Sequence, residues 1–154
     1  MKIAFPSLPT VGFLALALTG LFGCRSAKDP GSYSHASVTI RNRSDEDIRR
    51  VTTEVFVGDG FAPAGTLPDL LVFERLGSRS DALKWGGLDG GGVVIRAKVR
   101  VRPMPDGSRL LQCDVFHVRD AGDKFFESEG RMTMVNRSPY RRLMEQVRER
   151  LGQN

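Results

Sequence analysis

The chain is poor in the residues that most chemistry needs. Among 154 residues there are two cysteines, two histidines and one tryptophan. The histidines, His35 and His117, stand far apart, and no Cys/His cluster has the spacing of a metal site. Cys113 and His117 are four apart; on a strand they share a face but lie about 13 Å from each other, too far for a nucleophile–base contact. Cys113 therefore reads as a buried structural thiol. No nucleophile elbow, dinucleotide fingerprint or paired-carboxylate motif occurs. No catalytic residue, metal or cofactor is assigned, and the chain is expected not to be an enzyme. Long apolar runs are lacking too. Val11 to Phe22 is interrupted by Gly12, Thr19 and Gly20, and a spanning helix needs about 20 apolar residues. Charge of one sign is scarce: the net charge of +5 is modest and dispersed. That favours anionic surfaces in general and does not imply nucleic acid.

What is present begins at the N-terminus. Lys2, the apolar stretch after it and the small-residue exit form a secretory signal over residues 1–23. Leu21-Phe22-Gly23-Cys24 resembles the lipobox of bacterial lipoproteins, in which the cysteine is lipidated and becomes the new N-terminus. The resemblance implies lipidation of Cys24, export to the cell envelope and membrane attachment through the lipid. In well-studied envelope lipoproteins an Asp directly after that cysteine retains the protein in the inner membrane. Arg25 stands there, so the resemblance points to the outer membrane rather than the inner. With Cys24 lipidated, Cys113 has no partner for an internal disulfide. Residues 24–35, polar with Pro30-Gly31, form a linker. Residues 36–154 then suit one domain, since two would each be too small to stabilise.

Within the domain, Val38 and Ile40 alternate with polar neighbours and predict a short strand from Ser37 to Arg41. Ser44 followed by Asp45, Glu46 and Asp47 predicts a capped helix start. Ile48, Val51, Thr52, Val55 and Phe56 then form an apolar stripe that ends at Gly58-Asp59-Gly60. Phe61 to Asp69, with two prolines and a glycine, reads as a loop. Leu70 to Leu76 reads as a strand, and Gly77 to Asp81 as a turn. The Gly-rich run after Trp85 lacks the strand-before, helix-after context of a phosphate loop and reads as a strand connection. Val93 to Arg102 alternates strictly and predicts a strand with one buried and one wet face. Leu110 to Arg119 and Lys124 to Val135 complete a three-strand meander. Ser138 as N-cap and Pro139 open a last helix with the stripe Tyr140, Leu143, Met144, Val147 and Leu151.

The expected fold is α+β: a curved antiparallel sheet of four to five strands with two helices on one face, in the order β-α-β-β-β-β-α. In element order it resembles the small helix-grip or TBP-like domains of envelope lipoproteins, some of which assist outer-membrane assembly. The sharpest surface feature is the basic row Arg96, Lys98, Arg100 and Arg102. With Trp85 it is the candidate binding surface for another envelope protein or an anionic surface. Against that stands balancing of the row by acids: a hairpin closing around Pro105-Asp106 puts Asp114 opposite Lys98, with Glu127 and Glu129 one strand further on. The expected function is a non-enzymatic, membrane-anchored envelope lipoprotein that binds another envelope component. The alternative is a carrier holding a small apolar ligand between sheet and helix, where Ala97, Ser128 and Gly130 leave room.

Overall fold

The structure is a computed structural model that describes residues 34–86, 92–132 and 137–152. The signal segment, Cys24, most of the linker, residues 87–91 of the Gly-rich run and residues 133–136 lie outside the described residues. The described chain is α+β, an antiparallel sheet with three helices, in the order β1 (Ala36–Ile40), α1 (Asp45–Gly58), β2 (Ala62–Leu67), β3 (Leu70–Leu76), α2 (Arg79–Trp85), β4 (Val93–Pro103), β5 (Arg109–Arg119), β6 (Ser128–Arg131), α3 (Arg137–Arg150).

The sheet runs β1-β5-β4-β3-β2, and β6 also pairs with β5. β1 covers Arg109 to Cys113 and β6 covers Phe116 to Arg119, so two short strands share one edge of β5. The β4–β5 hairpin is the spine. It closes around Asp106, with Pro103 opposite Arg109 and Lys98 opposite Asp114. At its tip the Asp106 carboxylate accepts from the Ser108 N–H, and Gly107 takes φ +79°, a conformation that glycine adopts without strain.

One face of the sheet carries the core. Ile95, Ala97 and Val99 of β4, Leu111, Cys113 and Val115 of β5, and Phe73 of β3 meet the stripes Ile48/Val51/Val55/Phe56 of α1 and Tyr140/Leu143/Met144/Val147 of α3. Phe56 stacks on Phe73 at 4.6 Å between ring centroids, and Phe61 packs edge-on against Phe56. α1 starts as its sequence dictates: the Ser44 hydroxyl accepts from the Asp47 N–H, and three acids sit in the first turn, where the helix dipole favours them. α1 and α3 touch each other and, with α2, leave the opposite face of the sheet without a helix among the described residues.

Four expectations are corrected. Phe61 to Asp69 is not a loop but contains β2, whose residues are all exposed. Pro63 and Gly65 are tolerated because β2 is an edge strand with a register shift between them. Gly77 to Asp81 is not only a turn: Ser78 and Asp81 form a reciprocal capping box that starts α2, making three helices instead of two. The third meander strand is short. β6 spans Ser128–Arg131, and before it the Asp123 carboxylate accepts from the Phe125 and Phe126 N–H groups and holds a turn. Finally, Ser138 lies inside the first turn of α3 instead of capping it from outside. Pro139 fits there because first-turn N–H groups have no intrahelical acceptor.

Candidate functional site

The strict alternation of β4 sends Arg96, Lys98, Arg100 and Arg102 to the helix-free face. The first three do not stand up into solvent. The side chains of Arg96 and Lys98 are only 15% and 12% exposed. Arg96 is clamped between Glu74 of β3 and Glu127, with Nη1 2.8 Å from the Glu127 Oε1. Lys98 Nζ lies 2.9 Å from the Glu129 Oε1 of β6. Arg100 pairs with Asp69 at 3.6 Å, and Arg102, at the exposed end of the row, donates to Gln112. Burial alone would push the Arg96 guanidinium down, but hydrogen bonds and charge from Glu127 and Glu74 outweigh it and hold its pKa above the ordinary arginine value.

These pairs have a packing purpose. Phe116 and Val118 of β5 point to the same face and are fully buried although no helix among the described residues covers them. The Arg96–Glu127 and Lys98–Glu129 pairs span β5 over that ground, and Lys98 Nζ sits 4.9 Å from the Phe116 ring centroid. The aliphatic stems of the row shield the apolar residues while their heads stay paired at the surface. β5 does not alternate between apolar and polar residues because both of its faces are buried.

Asp114 is the most buried carboxylate of the face. Its Oδ1 accepts from the His35 N–H at 2.9 Å and from the Arg131 guanidinium. It sits where β1 ends and β6 begins along the shared edge, so one side chain ties both strands to β5. Its proximity to Lys98 follows from hairpin register. The contributions of His35 and Arg131 are set by strands 79 and 17 residues away and leave no local sequence signal.

Trp85 is not part of the basic row. It is half-buried at the end of α2, packs on the core side of the sheet, and stacks on His117 at 4.4 Å with ring planes 15° apart. Gly130 lies beneath: a Cβ there would stand 2.4 Å from His117 Cε1 and Nε2. The Trp85 Nε1 and His117 Nδ1 are buried without a hydrogen-bond partner. Burial first, and then the Arg119 charge, pull the His117 pKa below its ordinary value. Cys113 is a free, buried thiol; burial and then the Asp114 charge push its pKa well up. The three small residues expected to leave room do not line a common space. Ala97 is buried in the main core, Ser128 is exposed, and Gly130 is filled by His117.

No protein-family model matches the chain, and no curated protein matches it.

Proposed function

We propose that the protein is a non-enzymatic, membrane-anchored envelope lipoprotein whose domain binds another component of the envelope. The observation that carries the reading is Leu21-Phe22-Gly23-Cys24 at the end of an apolar signal, followed within a dozen residues by β1 of a folded domain. The tether is short enough to hold that domain beside the membrane. The helix-free face supports the second half of the reading. Both long helices are spent on the core side, so the Arg96–Arg102 row, with its paired acids, remains for a partner. Arg102 and Arg100, at the end of the row away from Glu127, are the cations best placed to meet an acidic surface.

A photo-crosslinking side chain at Arg102, in the full chain in intact cells, tests this. Capture of one dominant envelope component, absent when the probe replaces Gln146 on the outer side of α3, is the expected result. The same capture pattern from both positions, or none from either, would sink the assignment of this face.

A further inference from the structure

The four most exposed large apolar residues of the described chain lie together, whereas Leu67, Val57 and Met104, exposed to a lesser degree, lie elsewhere. Phe125 is 91% exposed, Leu76 82%, Leu83 81% and Phe126 73%. All four belong to one end of the sheet. Leu76 closes β3, Val93 opens β4 beside it, Arg119 closes β5, and Ser128 opens β6. Leu83 is on α2, which leaves β3 at this end, and Phe125 and Phe126 are on the β5–β6 connection. Across strands about 4.8 Å apart, the four side chains are spread over a patch about 15 Å wide. Exposed aromatics at a loop tip cost solubility, and a water-soluble domain gains nothing from concentrating them at one end.

The charges at this end differ from those of the face. There the cations are clamped by carboxylates. Arg79, Arg119 and Lys124 are exposed and make no ion pair among the described residues, and Lys84, also exposed, lies over the Trp85 ring, 4.8 Å from its centroid. Of the nearby acids, Asp81 caps α2 and Asp123 holds the Phe125 and Phe126 N–H groups, while Asp120 is exposed beside Arg119. Apolar rings with cations around them that no carboxylate holds are the chemistry of a surface that meets anionic headgroups.

Strand direction supplies an independent argument. β1 runs antiparallel to β5, so its N-terminal residue, Ala36 opposite Cys113, faces the end at which β5 finishes with Arg119. The distance left to that end is six residues of strand, about 20 Å. Nine residues, 25–33, separate Cys24 from Ser34; extended, this stretch reaches about 35 Å. A lipid on Cys24 is therefore within reach of the plane defined by this end, and the chain enters the sheet from that side.

We propose that the Leu76/Leu83/Phe125/Phe126 end is a membrane-facing surface that seats these side chains in the headgroup boundary of an anionic phospholipid bilayer. This rests on the anchored reading above and adds an orientation to it. The sheet axis stands toward the bilayer normal, the β4–β5 tip at Asp106 points away, and the basic row is presented sideways.

The test uses the full chain, acylated on Cys24, in vesicles of phosphatidylethanolamine and phosphatidylglycerol, with an environment-sensitive fluorophore on Phe125→Cys or on Asp106→Cys. Both positions are exposed, so labelling spares the core, and the buried Cys113 does not compete. The expected result is a blue shift at 125 that shallow spin-labelled lipids quench, no change at 106, and a smaller shift at 125 when phosphatidylcholine replaces phosphatidylglycerol or when Leu83→Ser is added. A chain that floats with the vesicles while position 125 stays water-like overturns the orientation and leaves the anchor standing. A chain that does not float overturns both. A shift at 125 that needs added envelope protein assigns the patch to a protein partner and overturns the lipid surface.

Discussion

At the scale of single residues, the Trp85–His117–Gly130 stack sets the most specific expectations. Gly130 is required by space, since its own φ does not demand glycine but any Cβ meets the imidazole at 2.4 Å. Gly130→Ala should cost about 1–3 kcal/mol, the usual penalty of overpacking, and should shift the emission of the single tryptophan. Combining it with His117→Ala should recover part of that loss. Denaturant titrations of both singles and the double form the check, and strict additivity would refute the contact. His117 also gives the domain a defined pH response. Its folded-state pKa is below the ordinary value of about 6.5 because burial and Arg119 disfavour the imidazolium. Above the unfolded-state pKa both states are neutral and the group has no effect. Below it the unfolded chain takes up the proton first, so stability falls as pH drops from about 6.5 toward the folded-state pKa and then levels off. Melting temperatures from pH 7.5 to 5 should show this drop in the native chain and a smaller one in His117→Gln.

At the scale of elements, the two capped helices should respond differently to loss of their caps. α1 buries Ile48, Val51, Thr52, Val55 and Phe56 and is part of the core, so Ser44→Ala should lower global stability by about 1 kcal/mol. α2 buries none of its residues fully. Ser78→Ala should therefore loosen α2 locally, visible in Trp85 emission, with little movement of the global unfolding midpoint. Equal shifts of the global midpoint in both variants would contradict this division. The same contrast explains which elements the sequence disclosed. α1 and β4 were legible because each has one dry and one wet side, which imprints a period on the residues. β2 was not, because it has no buried side: every residue is exposed, and Pro63 and Gly65 satisfy only the needs of an edge. α2 was missed although Ser78 and Asp81 are a capping pair, because seven residues without a buried stripe look like a turn. In the candidate site, the basic row and its opposite number Asp114 followed from alternation and hairpin register. The placing of Trp85 on the other face, over His117, and the junction of β1 and β6 at Asp114 are long-range facts, and no local pattern encodes them.

At the scale of the molecule, the domain has two unlike surfaces besides its helices: a face whose cations are already paired, and an end whose apolar groups and cations are not. The paired face is expected to be firm. Its charges cover Phe116 and Val118, so Arg96→Glu should destabilise the domain by placing three carboxylates together beside a buried ring, whereas Arg102→Glu, at the exposed end of the row, should leave the melting temperature nearly unchanged. Thermal unfolding of the two variants distinguishes a structural from a merely decorative row. The remaining consequence concerns β1. Under the anchoring proposed above, a tug on the N-terminus would reach the domain through this five-residue strand. Ladder hydrogen bonds lie across the strand axis, and Ala36 is the first residue of the strand, the one nearest the N-terminal segment. A pull along β1 therefore strains all of its rungs, and the His35–Asp114 bond, in the same instant instead of peeling them one by one. This short partner of the β4–β5 hairpin is thus a shear lock. In a single-molecule stretching experiment the domain should yield at higher force when held at Ser34 along β1 than when the load peels β2 from the opposite edge.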